Sequence, residues 1–251
     1  MMMDFPEVRF DGTLRPSQTE VMKIAEEQLH RGETRLHIVA PPGSGKTVLG
    51  LYLWAMHIRC PAVVLSPNSA IQMQWAARTD LFSTASGRPL VDFASTDPRE
   101  PSLLNSLTYQ SVTLPRRGGD DIDEGAIQNW IAYLMDKGQA ESPEAGIAWI
   151  EDLKQRNPEY HATRLARNKK IIRDGIALGG DAMRTLHRSS LETLQRLKDA
   201  DVGMVILDEC HHLMGHWGRV LADAQDLLEG PIIVGLTATP PDLDGKILED
   251  V

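Results

Sequence analysis

The chain has 251 residues, a formal net charge of −9 and a sequence pI of about 5.4. Hydrophobic residues make up 42% and charged residues 24%, which excludes a wholly disordered chain and supports a sizeable core. The acidic balance excludes a protein that coats nucleic acid indiscriminately, because that needs a basic surface; a local basic track stays compatible with it.

Residues 18–30 carry Val21, Met22, Ala25 and Leu29 at helical spacing, and Gly32 stands where such a helix ends. The apolar run 36–40 reads as a buried strand, 47–57 as a helix, 62–65 as a second strand and 69–81 as a further helix. The stretch 112–199 breaks this rhythm. It opens on the loop 115–119 and an acidic cluster of Asp120, Asp121, Asp123 and Glu124, and helical patterns follow. Asn157-Pro158 is a helix start, with Asn as cap and Pro in the first turn. Beyond it Ala162, Leu165, Ile172 and Ile176 mark an apolar face, Arg164, Arg167, Lys170 and Arg173 fall mostly away from it, and Gly179-Gly180 interrupts. The runs 202–207 and 232–236 resume as buried strands. Strand alternating with helix predicts an α/β domain with a mostly parallel sheet and helices on both faces. The stretch 112–199 is then a helical insertion within that domain.

The two cysteines, Cys60 and Cys210, are far apart and suggest no disulfide framework, which points to a reducing cytoplasm. The start lacks the basic and apolar blocks of a secretory leader, and no apolar run approaches the roughly 20 residues needed to cross a bilayer.

The strongest motif is Ala40-Pro41-Pro42-Gly43-Ser44-Gly45-Lys46-Thr47, between a predicted strand and a predicted helix. Gly43 and Gly45 let backbone N–H groups turn toward a phosphate with no Cβ in the way, and the new helix adds its positive end. Pro42 and Ser44 complete the turn. Lys46 can reach the β and γ phosphates of a nucleotide, and the Thr47 hydroxyl can hold Mg²⁺. The general pattern opens on Gly where this chain has Ala40, and a plain glycine-rich turn is the competing reading.

The run 205–207 leads directly into Asp208-Glu209-Cys210-His211. Adjacent carboxylates at the end of a buried strand are unfavourable unless something uses them. In a protein with a phosphate loop, Asp208 fits a Mg²⁺ ligand, and Glu209 fits the group that orients or deprotonates the attacking water. A helix cap is the plain alternative. A zinc site from Cys210, His211, His212 and His216 is another, with ligands too crowded for the usual structural spacing.

Taken in order, these signals resemble superfamily 2 helicases of the XPB-like and type III restriction-like branches. Leu14-Arg15-Pro16-Ser17-Gln18 resembles the Q-type motif, and Ala40 to Thr47 resembles motif I. Val63 to Asn68 with Gln72 to Trp75 resembles motif Ia, and Thr108-Tyr109-Gln110 resembles a segment that those branches carry. Asp208 to His211 resembles motif II in its DECH form, and Gly235 to Pro240 resembles motif III. The resemblance covers about 10–111 and 200–242 and implies a RecA-like domain. It implies that Gln18 contacts adenine with Arg15 in support, and that Pro67, Asn68 and Thr108 meet nucleic acid. It also implies that His211, Thr237 and Thr239 relay nucleotide state to a partner domain. Phe10 is a candidate to stack on adenine, with core packing as the competing reading.

In that family ATP lies between two RecA-like domains, and the second supplies arginines; no later motif set follows motif III here. The resemblance therefore implies an ATP- and Mg²⁺-binding half of a helicase or translocase acting on nucleic acid, DNA in preference to RNA, weak or inactive by itself. Two other classes compete: a nucleotide-gated module that binds nucleic acid or recruits partners without motor activity, and a small-metabolite kinase. For the basic residues Lys154, Arg156, Arg164, Arg167, Lys169, Lys170 and Arg173, a solvated face ion-paired to Glu159 and Asp174 is favoured over a phosphate-tracking helix.

Overall fold

The computed structural model describes residues 5–212 and 216–238. The strands are β1 (Val8–Phe10), β2 (Arg35–Val39), β3 (Ala62–Ser66), β4 (Phe82–Thr84), β5 (Ala94–Ser95), β6 (Leu104–Thr108), β7 (Met204–Asp208) and β8 (Ile232–Thr237). Six of them form one sheet in the order β2-β8-β7-β3-β6-β5, every neighbouring pair parallel. β1 and β4 make a separate antiparallel pair. The expected strands therefore form within a residue or two of their predicted bounds. β7 runs one residue further than read, through Asp208, and starts at Met204.

β6 was not expected, because Leu104-Asn105-Ser106-Leu107-Thr108 is not an apolar run. Its polar residues are buried and satisfied instead. Asn105 Nδ2 donates to Ala62 O at 3.0 Å and to Ser102 O at 2.8 Å, and Ser106 Oγ donates to Gln72 O at 2.7 Å.

The period-two alternation of buried strands divides the core between two faces. Leu36, Ile38, Val64, Met204, Ile206, Val234 and Leu236 share a cluster with Met22 and Ala25 of α1 (Pro16–His30), Leu49 and Leu51 of α2 (Lys46–Tyr52) and Trp75 of α3 (Ser69–Ala77). Val63, Leu65, Val205, Leu207 and Ile233 face the other way. Around them are Val112 of α4 (Tyr109–Thr113), Leu194 and Leu197 of α8 (Arg188–Asp199) and Leu221 and Ala224 of α9 (His216–Leu227). The predicted helix 47–57 changes character at Leu53, where α2 passes into a π-helical turn, Leu53–Ile58. Among the described residues no helix is long and apolar enough to cross a membrane.

Residues 115–187 form a compact unit of their own, while α8 belongs with the sheet. That unit holds α5 (Asp120–Asp136), α6 (Pro143–Arg156) and α7 (Pro158–Leu178) around Trp130, Ile131, Leu134, Ala140 and Ile150. Its neck closes where Arg116 N donates to Thr185 O at 2.8 Å. The Asn157 cap forms as read, its Oδ1 accepting from Tyr160 N at 3.1 Å. The basic residues of α7 find other partners than Glu159 and Asp174. Lys169 pairs with Asp123 at 2.6 Å, Arg173 donates to Arg116 O at 3.2 Å, and the Arg164 guanidinium lies 5.0 Å from the Tyr133 ring centroid. Contacts beyond α7 take the place of ion pairs to Glu159 and Asp174, and on α7 itself the Arg164 guanidinium lies 5.9 Å from the Tyr160 ring centroid. Arg167 and Lys170 are exposed.

Candidate functional site

The C-terminal edge of a parallel sheet gathers the loops that follow its strands. The loop after β2 leaves beside β8, where Ala40 N donates to Thr237 O at 3.0 Å. It then turns through Gly43 at φ +77° and Gly45 at φ +86°, both left-handed. Gly45 caps α2 without a side chain, so the first N–H groups of the helix face the loop. Pro42 and Gly43 are exposed, and a Cβ built on Gly43 would touch nothing within 4 Å. Ser44 Oγ is buried and has no hydrogen-bond partner among the described residues. Open glycine amides, a helix start and an orphaned hydroxyl are a donor set that suits a polyphosphate.

The Q-type segment braces this loop from below. Arg15 Nη1 donates to Gly43 O at 3.1 Å, and Gln18 Nε2 donates to Ser44 O at 3.0 Å. Gln18 Oε1 accepts from Arg15 N at 2.9 Å, and Gln18 is only 5% exposed. Both ends of its amide are thus engaged, and a contact to a base would need one of these bonds to be exchanged. Phe10 packs at 5.3 Å from Tyr52 and 5.0 Å from Phe82, ring centre to ring centre.

The loop after β7 brings the acids to Lys46. Lys46 Nζ lies 3.6 Å from Glu209 Oε1 and donates to Ala40 O at 3.2 Å. Glu209 sits at φ +51°, a left-handed conformation that is strained for a residue with a Cβ and recurs at functional sites. Asp208, the last residue of β7, is buried. Its Oδ2 accepts from Trp75 Nε1 at 2.6 Å, and its carbonyl accepts from Tyr109 OH at 2.9 Å. Burial raises its pKa above the usual carboxylate range, and the adjacent Glu209 charge adds to that, while Trp75 and Lys46 oppose it. Thr47 is half-buried on the first turn of α2.

The remaining expected residues fall on the same edge. His211 Nδ1 lies 2.8 Å from Thr237 Oγ1 and 3.4 Å from Glu209 Oε2, which links motif II to the end of β8. Thr239 lies outside the described residues. Asn68 caps α3, its Oδ1 accepting from Ile71 N at 3.0 Å, and Pro67 precedes it at the mouth of β3. Thr108 ends β6 in register with Ser66 of β3. Cys210 turns away to His37, 3.3 Å from its Nε2, across Gly235 of the intervening β8, where an added Cβ would lie 3.2 Å from the sulfur. Burial pushes that thiol up to about 11 and lowers His37. Sequence reasoning missed Trp75, Tyr109 and His37 as neighbours of motif II, because only the folded strand order brings them there.

No curated protein matches the chain. One family model does, described as type III restriction enzyme, res subunit, over residues 11–117 and 143–242. The gap falls at 118–142, which includes all of α5. With a matched phosphate loop, an acidic pair beside it and a RecA-like parallel sheet, the chain belongs to the type III restriction enzyme res-subunit family, as an ATP-dependent, helicase-type domain.

Proposed function

We propose that this chain is the ATP-binding half of a translocase or helicase that acts on DNA, and that its hydrolysis is completed by a second RecA-like domain. The observation that carries the reading is the 3.6 Å approach of Lys46 Nζ to Glu209 Oε1, with Asp208 alongside. The amides of 43–47 and the Lys46 ammonium bind the phosphates, and Arg15 and Gln18 hold the loop in shape. Thr47 and Asp208 are the residues that would hold Mg²⁺, which supplies positive charge to the phosphate oxygens. Glu209 orients and deprotonates the attacking water. Lys46 pairs with Glu209; phosphates that drew Lys46 toward them would free Glu209 for that task, which would couple binding to activation. His211, Thr237 and Thr239 pass the change to the partner domain, and Pro67, Asn68 and Thr108 meet the strand. The DNA preference rests on the restriction-enzyme family, and the cytoplasmic setting rests on two free thiols.

Without an arginine from a second domain, turnover falls by about 10³–10⁵ in related phosphoryl-transfer systems. The chain is therefore expected to bind Mg·ATP and turn it over very slowly. Glu209→Gln should keep nucleotide binding and lose the residual turnover, and in a protein that carries both RecA-like domains DNA should stimulate hydrolysis more than RNA. Fast, nucleic-acid-stimulated hydrolysis by these 251 residues alone would sink the need for a second domain. Turnover unaffected by Glu209→Gln would favour a nucleotide-gated binding module instead.

A further inference from the structure

Trp75 stands apart from the other large core residues. It is fully buried on α3, yet its one polar atom points at the carboxylate expected to hold the metal, 2.6 Å away. An indole has a single donor and no acceptor, so this bond uses its whole polar capacity. Space for the ring is made on the phosphate-loop helix itself. A Cβ added to Gly50 of α2 would lie 2.6 Å from Trp75 Cη2. The ring thus lies against the helix that begins at Lys46 while its N–H holds Asp208. A donor to a buried carboxylate fixes its rotamer, and without that donor the oxygen it holds would lose its partner in a desolvated site. Tyr109 secures the backbone of the same residue by donating its hydroxyl to the Asp208 carbonyl.

We propose that Trp75 is a positioning residue for the magnesium site: its indole N–H holds the Asp208 carboxylate in the orientation that receives the metal. This rests on the reading of Asp208 as a metal ligand. It also gives α3 a task beyond packing. The helix begins at Asn68, where nucleic acid is expected, and carries Trp75 two turns later, so a shift of α3 on its strand reaches the metal ligand directly.

The test is the Mg²⁺ dependence of nucleotide binding by the 251-residue chain, followed with a fluorescent ATP analogue. Trp75→Phe keeps an aromatic ring in place and removes the N–H. Trp54→Phe is the matched control, because Trp54 is equally buried and donates at 2.8 Å to Cys60 O, away from the acids. Trp75→Phe is expected to raise the Mg²⁺ concentration for half-maximal binding by roughly tenfold, the usual scale for an outer partner of a metal ligand, and to leave metal-free nucleotide affinity unchanged. Trp54→Phe is expected to lower the melting temperature without moving the Mg²⁺ midpoint. A folded Trp75→Phe protein whose midpoint stays within about twofold of wild type overturns the inference, since outer-partner effects are much larger. If that variant does not fold, the indole N–H resonance of Trp75 in ¹⁵N-labelled wild type carries the test. It should move when Mg²⁺ is added to the nucleotide-bound protein, and a resonance indifferent to Mg²⁺ overturns the proposal. Wild-type binding with no Mg²⁺ dependence at all is a separate outcome, which sinks the reading of the site and this inference with it.

Discussion

Replacing Gly45 by Ala should destabilise the chain more than the same change at Gly43, although both glycines have left-handed backbones. The shared part is the strain of a Cβ in that region, roughly 1–2 kcal/mol. The difference lies in what the new methyl meets. At Gly43 it meets nothing, whereas at Gly45 it would lie 2.5 Å from Gln18 Nε2. The Gln18 amide must swing away and release Ser44 O, which loses a hydrogen bond worth about 0.5–1.5 kcal/mol. Gly45→Ala should thus cost about 1.5–3.5 kcal/mol against about 1–2 for Gly43→Ala. For a chain of this size the extra ~1 kcal/mol is roughly 2–4 °C in melting temperature. The sharper assay is a double-mutant cycle with Gln18→Ala. If the methyl clashes with the Gln18 amide, removing that amide relieves the clash, and the double variant loses less than the sum of the singles. Strictly additive losses would show that Gln18 does not brace the loop.

Asp208→Asn should raise the melting temperature in chelator at pH 7, because the ionised side chain is held in a desolvated site beside Glu209. The folded pKa lies above the unfolded one, so wild-type stability rises as pH falls through the folded value, and the advantage of the amide should shrink toward pH 4. An advantage of equal size at both pH values would contradict this. The Cys210 thiol, buried and raised to about 11, should resist alkylation in the folded chain at pH 8 and react on unfolding; rapid labelling without unfolding would refute its placement. Charge reversal of Arg164, Arg167 and Lys170 together tests the unit 115–187 for a grip on nucleic acid. Because Arg164 packs on Tyr133, affinity at low salt should stay within about twofold of wild type, and a loss of tenfold or more would assign these residues to phosphate contacts.

The sequence made the site legible where chemistry forces a residue type. A left-handed turn with open amides favours glycine at Gly43 and Gly45, and the strand proposed to deliver a metal ligand ends on an acid, Asp208. The apolar runs at β3, β7 and β8 were legible for a similar reason, since strands covered on both faces have few residue types open to them; β2, expected as a buried strand, is covered on one face only, with Arg35, His37 and Val39 exposed. β6 was not, because its burial is achieved by Asn105 and Ser106 making specific hydrogen bonds that no hydropathy pattern encodes. The partners of α7 were misread because the helix ion-pairs to α5 and packs on its aromatic ring, a choice set by tertiary placement. Trp75 and Tyr109 lie 133 and 99 residues from Asp208, and only the order of strands makes them neighbours.

That strand order also explains why two adjacent acids can serve different partners. β7 lies between β8 and β3. Asp208 ends the strand and is held from the β3 and β6 side, by Trp75 of the helix after β3 and Tyr109 of the helix after β6. Glu209 points the other way, toward Lys46 after β2 and His211 beside β8. A chain that continued extended would not place both carboxylates in that way. The left-handed turn at Glu209 makes the division, and its strain is compensated by the Lys46 ion pair on one side and the buried Trp75–Asp208 hydrogen bond on the other. One residue out of the ordinary backbone range thus separates the acid proposed to hold the metal from the acid proposed to manage the water. It also connects each to its own flank of the sheet: Asp208 to the segments expected to meet nucleic acid, and Glu209 to those expected to meet the partner domain.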